Sequence, residues 1–142
     1  MPATNPTIKT ATTGTITQAA TNGFHTPLSI DLAPELSPDG LPLTVTNYAF
    51  RFSAVYIHVH TIAGGCTSLT LRMSPDATAD EIIVPDTSST ISNGYTNIAR
   101  GGVVFKVDVD AFLPSDLIYF TIKTNAGTCN IKEVRVTYER IN

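Results

Sequence analysis

A chain of 142 residues with a net charge of -3 and two cysteines is long enough for one domain. A domain of that size buries about 70% of its unfolded-chain surface, so it needs neither a disulfide nor a metal to fold. Lys and Arg are scattered singly, which excludes the basic stripe that nucleic acid requires, and no apolar run approaches the roughly 18 residues that span a bilayer.

Thr is the commonest residue, and Val and Ile are frequent, a composition that favours strands over helices. Only 15% of the residues are charged, against about 25% in an ordinary soluble domain. A surface of Thr, Ser and Asn in place of charges is what packing against other subunits would leave.

Residues 1 to 12 hold Thr, Pro, Asn and Ala with one Ile and read as an extended N-terminal arm; residues 13 to 142 read as a single β-sandwich domain. The first residues have neither a basic nor an apolar signal region, so no secretory signal is expected there, although a processed chain would begin the same way. Thr13 to Ala19 alternates weakly around Ile16, and Leu28 to Leu32 forms a short strand with Leu28, Ile30 and Leu32 on one face. Three prolines and Asp39-Gly40 between Ala33 and Pro42 predict a surface loop, followed by a short edge strand at Leu43-Thr44-Val45.

Phe50 to Ile62 is the longest run of β-branched and aromatic residues, and it reads as the central strand. Val55, Ile57 and Val59 point one way, and Tyr56, His58 and His60 the other. Phe50 and Phe52 have the opposite parity, so a bulge near Ser53-Ala54, or a strand that ends and restarts there, is required to bring all five apolar residues onto one face. Ala63-Gly64-Gly65 reads as a tight turn into a hairpin with Leu69, Leu71 and Met73. Glu81 to Val84 is a short apolar run, and residues 85 to 101 read as a long polar connection. Val103 to Val109 alternates cleanly, Ala111 to Asp116 reads as a corner, and Leu117 to Thr124 is a strand with Ile118, Phe120 and Ile122 on one face. In the last strand Val134, Val136 and Tyr138 oppose Glu133, Arg135, Thr137 and Glu139. Eight or nine strands without a helix point to an all-β, antiparallel two-sheet sandwich of jelly-roll type.

His58 and His60 share one face, about 7 Å apart at their Cα atoms by strand rise, and are candidate zinc ligands. Zinc needs a third ligand, and His25 lies in a separate loop, so these histidines read first as ordinary residues of a polar face. Asp76, Asp80 and Glu81 lack the spacing and central Gly of a calcium loop, and Asp108 and Asp110 read as solvent-facing strand residues. There is no nucleophile elbow, phosphate loop or Cys-x-x-Cys, so no catalytic residue, metal site or cofactor is assigned. Cys66 and Cys129 each precede an apolar run just after a Gly, which places both at one end of a sandwich. They read as two reduced, half-buried thiols, with a bridge conceivable. Tyr56, Tyr95 and Tyr119 are the outward aromatics on which a lectin-like module would stack surface glycans, though the best stacking residue, Trp, is missing.

Four stretches carry a family resemblance: Cys66 to Glu81, Pro85 to Ser88, Gly102 to Val109, and Gly127 to Tyr138 with its Val-Arg-Val-Thr-Tyr close. In these the segment from Ser53 to Arg140 resembles the small jelly-roll virion proteins of tailed bacteriophages, the capsid decoration or cement proteins. The resemblance implies a non-enzymatic protein on the outer capsid surface of the virion that cements neighbouring capsomers, with the major capsid protein as partner and a homo-oligomer, a trimer first, as its state. It implies that Thr4, Asn5, Thr7, Ile8 and Lys9 of the arm bind the partner, and it brings no catalytic residues. A tail- or fibre-associated module that binds host glycans is the alternative within the same virion.

Overall fold

Period-two alternation of β-branched and aromatic residues builds sheets wherever one face can be buried. In the computed structural model, which describes residues 8–32, 48–77, 82–91, 100–113 and 117–140, this produces nine strands and no helix among the described residues. They are β1 (Lys9–Thr12), β2 (Gln18–Ala20), β3 (Leu28–Asp31), β4 (Tyr48–Ala63), β5 (Ser68–Ser74), β6 (Val84–Thr90), β7 (Arg100–Leu113), β8 (Leu117–Thr124) and β9 (Thr128–Arg140). The larger sheet runs β1-β9-β4-β7, with β2 also on β9, and the smaller runs β3-β8-β5-β6.

Every described pairing is antiparallel. The pairs β1/β2 with β9, β3 with β8, β4 with β7 and β5 with β6 nest inside one another, first strand with last. The chain is therefore one long antiparallel ribbon, wrapped so that successive pairs fall in opposite sheets. That is a jelly roll.

The core lies between the sheets, with Phe52, Ile57, Phe105 and Ile131 from the larger sheet meeting Leu71, Met73, Phe120 and Ile122 from the smaller, all buried. The bulge required in β4 is present: register shifts between Phe52 and Ala54, and Phe50, Phe52, Val55, Ile57 and Val59 are all buried. On the facing strand the pairing steps from Lys106 to Val109, and Asp108 takes a positive φ of 42° within that irregularity. Tyr138 joins the sheets by donating its hydroxyl hydrogen to the Leu32 carbonyl.

Three expectations are corrected. The β4 and β5 strands form no hairpin: they lie in different sheets, and Gly64 and Gly65, at φ 69° and 86°, carry the chain from one sheet to the other. Residues 85–90, part of the expected polar connection, join Val84 in β6. This is an edge strand whose Thr and Ser residues need bury only one face, and its proline stands second, where an edge tolerates it. Strand β7 also continues through the expected corner to Leu113, because Tyr48–Phe52 keeps pairing with it. The expected loop at 33–42 and strand at 43–45 lie outside the described residues.

In the first part of the chain, β1 and β2 line the same edge of β9 on either side of a bend at Gly14, where φ is 71°. Thr13 and Ile16 fill the gap with backbone bonds to Val134 and Lys132 of 3.0 and 2.8 Å.

Candidate functional site

The outward face of the larger sheet gathers most of the side chains singled out in the sequence. With the apolar residues of β4 turned inward, Tyr56, His58 and His60 must point outward. Antiparallel register then aligns rows across β7, β4 and β9: Val104, Tyr56, Arg135; Gly102, His58, Glu133; and Arg51 between Asp110 and Glu139. Tyr56, His58 and His60 are half-buried, and Val104 is 54% exposed, a large apolar side chain on an otherwise polar face.

Gly102 belongs to this surface for a steric reason. A Cβ there would stand 2.8 Å from the Tyr56 ring, so the tyrosine lies over the glycine and is held down against the sheet. The imidazoles of His58 and His60 meet edge to face with centroids 4.9 Å apart.

Three ion-pair clusters fix the charges. Arg51 donates through Nε and Nη2 to the two Asp110 carboxylate oxygens at 2.8 and 3.3 Å, and through Nη1 to Glu139 at 3.4 Å. Those bonds hold the Asp110 carboxyl below its ordinary range. Glu133 accepts from Arg135 Nε at 3.0 Å and from the Thr12 hydroxyl at 2.6 Å, and both bonds lower its pKa, the arginine first. On the smaller sheet Arg72 grips Asp86 through Nε and Nη2, and lowers it, while the Phe24 ring takes the Arg72 guanidinium at 4.3 Å and the Lys123 ammonium at 4.8 Å. The Thr12 bond shows that an edge strand of low alternation is tied to this face by side chains as well as backbone.

The histidine pair gains no third ligand. No group of three or more His, Cys, Asp or Glu able to hold a metal occurs among the described residues. Glu133 faces His58 across the sheet but is engaged by Arg135 and Thr12. His25 sits between β2 and β3, with Nδ1 on the Thr26 carbonyl at 2.6 Å. Of the acidic loop group, Asp76 is described and its carbonyl accepts from the Ser74 hydroxyl at 2.9 Å; Asp80 and Glu81 lie outside the described residues, as does Tyr95. Asp108 is exposed beside the bulge, and Tyr119 is half-buried on the outward face of β8.

In the arm, Thr4, Asn5 and Thr7 lie outside the described residues. Ile8 is 68% exposed, and Lys9 opens β1 opposite Tyr138. Cys66 and Cys129 are both buried and unbridged, and the backbones beside them meet at Gly64 and Gly127, so they do lie at one end of the sandwich.

Sequence reasoning passed over Gly102 and Val104 as site residues. The only signal for them was the Gly-Gly-Val-Val run, which makes sense once Tyr56 is set across from it.

No family model and no characterised sequence matches the chain. Among solved structures the fold is similar to the Eiger TNF of S. frugiperda, at 12% identity and a TM-score of 0.46, covering 97% of this chain and 94% of that one. It is also similar to a chain of maize chlorotic mottle virus, at 12% identity and a TM-score of 0.32, with 96% and 94% covered. A third likeness is to VP2 of the infectious bursal disease virus subviral particle, at 11% identity and a TM-score of 0.37; it covers 98% of this chain, which spans 38% of that one.

Proposed function

We propose that the protein is a non-enzymatic virion structural protein that binds the outer surface of a tailed-phage capsid and cements neighbouring capsomers, acting as a homo-oligomer with a trimer as the first expectation. The observation that carries this reading is Ile8, a large aliphatic side chain 68% exposed immediately before an edge strand. An exposed aliphatic there gives a second protein something to bury, and an edge strand offers backbone groups for pairing. Low overall charge supports the same reading, because the centres of protein interfaces are depleted in charged residues. Thr4, Asn5, Thr7, Ile8 and Lys9 are the contacts proposed for the major capsid protein.

Cosedimentation with undecorated capsids tests it. Full-length protein should pellet with capsids, and a chain lacking residues 1–7 with Ile8→Ser should pellet at least tenfold less while melting normally. Equal binding by both removes the arm from the mechanism, and no binding by either removes the capsid.

A lectin-like reading has one observation in its favour, the Tyr56 ring held over Gly102 on an outward face. Glycan-array binding lost in Tyr56→Ala would favour it over the capsid reading.

A further inference from the structure

Two connections meet at one end of the sandwich. The link from β4 to β5 passes through Gly64 and Gly65, and the link from β8 to β9 through Gly127. They touch closely enough that a Cβ on Gly64 would lie 2.9 Å from the Gly127 Cα, and one on Gly127 would collide with the Ala63 carbonyl oxygen. Cys66 lies in the first link and leads into the smaller sheet, while Cys129 is the second residue of β9 in the larger sheet, paired with Ala20. The two residues are 6% and 2% exposed, and each thiol acts on the proton affinity of the other. With no metal-holding group among the described residues, nothing there recruits these sulfurs as ligands.

We propose that Cys66 and Cys129 are an oxidisable pair that closes into an intramolecular disulfide, a covalent staple between the two sheets, when the chain meets a small-molecule disulfide such as oxidised glutathione. The Cys66 thiol, the more accessible of the two and next to the exposed Gly64-Gly65 turn, loses its proton and attacks one sulfur of oxidised glutathione. A Cys66–glutathione disulfide forms, and one glutathione leaves as thiolate and takes up that proton. Cys129, deprotonated in turn, attacks the Cys66 sulfur and expels the second glutathione, which is protonated. The two cysteines together lose two protons and two electrons, and oxidised glutathione becomes two reduced molecules.

Burial pushes both thiols up, Cys129 to about 12, so the exchange is slow at neutral pH and quickens as pH rises. The bond would close the long loop from residue 66 to residue 129 and tie the entry of β5 to the start of β9. Reduced protein would thus fold without it, and oxidised protein would resist unfolding further.

The test incubates the purified full chain in glutathione buffers of increasing oxidised fraction at pH 8. Free thiols are counted after denaturation, and intact mass and melting temperature are followed. The proposal expects loss of both thiols together, a mass lower by two hydrogens with no attached glutathione, and a melting temperature higher by roughly 10 °C that dithiothreitol reverses. Cys129→Ser should stop at one glutathione on Cys66 with no such rise, and Cys66→Ser should react far more slowly. If either variant does not fold, the wild-type thiol count and mass still decide. Retention of both thiols across the series, one glutathione on each cysteine, or a disulfide-linked dimer on a non-reducing gel would each overturn it.

Discussion

Tyr138 of β9 donates its hydroxyl hydrogen to the carbonyl of Leu32, 3.1 Å away, and both residues are buried. This bond crosses the core from the larger sheet to the residue that follows β3, an edge strand of the smaller sheet. It gives the Leu32 carbonyl a partner where water cannot reach. Tyr138→Phe keeps the ring, which packs edge-on against Phe50 at 5.7 Å, and removes only the donor. We expect a loss of about 1–3 kcal/mol in urea denaturation, the cost of an unpaired buried carbonyl. An unchanged midpoint would mean that Leu32 finds another donor.

Ile57 is fully buried on β4, the strand that joins β7 to β9. Ile57→Asp places an unpaired charge in that core and should cost more than about 4 kcal/mol, leaving the protein unfolded or insoluble. Ile57→Val should fold and cost about 1 kcal/mol. The pair separates a core position from an intolerant surface one, and normal melting of the aspartate variant would refute the strand's parity.

The central strand was legible because its apolar residues change parity between Phe52 and Val55, which a bulge or a broken strand can reconcile on one buried face, and the bulge is what the strand has. Strand β6 was not, because an edge strand needs little apolar content, and Pro85 with Thr and Ser looks the same in a loop as beside β5. The false hairpin had a different cause. Ala63-Gly64-Gly65 has the residues of a tight turn, but whether such a turn pairs its flanking strands or sends them to opposite sheets depends on β7 and β9, far away in sequence. The outward histidines could be read from alternation alone. Their neighbours Gly102 and Glu133 could not, since cross-strand register is a property of the folded sheet.

Glycine substitutions should separate two kinds of positive φ. At Gly127, φ is 62° and an added Cβ would collide with the Ala63 carbonyl oxygen, so Gly127→Ala must push apart the two connections beside the cysteines. At Gly14, φ is 71° but nothing stands within 4 Å of the added atom. Gly14→Ala should cost about 1 kcal/mol from the backbone alone, and Gly127→Ala at least about 3 kcal/mol. Similar midpoints for the two would show that the end of the sandwich yields easily.

Acid should weaken the fold modestly. Hydrogen bonds from Arg72, Arg51 and Arg135 lower the pKa of Asp86, Asp110 and Glu133 from ordinary values of 3.8, 3.8 and 4.5. A carboxyl whose folded value is depressed contributes stability above its unfolded value and loses it as pH falls through the folded one. The melting temperature should therefore hold from pH 7 to about 5 and decline below about 4.5. These pairs are exposed, so molar salt should shrink the decline, and Arg51→Ala, which frees Asp110, should flatten part of it. A decline equally steep in Arg51→Ala would place its origin elsewhere.

Alkali should reveal the cysteine pair through stability alone. Burial raises both thiols above the ordinary value of 9.0, and Cys129, which also meets the charge of Cys66, stands at about 12. A raised folded value means that the neutral thiols contribute fully below pH 9, where folded and unfolded chains are both protonated. Above pH 9 the unfolded chain releases its thiol protons first, so stability falls until Cys129 of the folded chain ionises near 12. Reduced protein should thus lose stability in urea between pH 9 and 11 faster than Cys129→Ala, in which the more strongly shifted thiol is gone. Every other side chain is shared by the two proteins, so the difference between the two slopes isolates the thiol. Oxidised protein, if the two sulfurs are joined, should match the shallower slope. Parallel slopes for reduced wild type and Cys129→Ala would show that Cys129 reaches solvent before it ionises, and that this end of the sandwich opens at little cost.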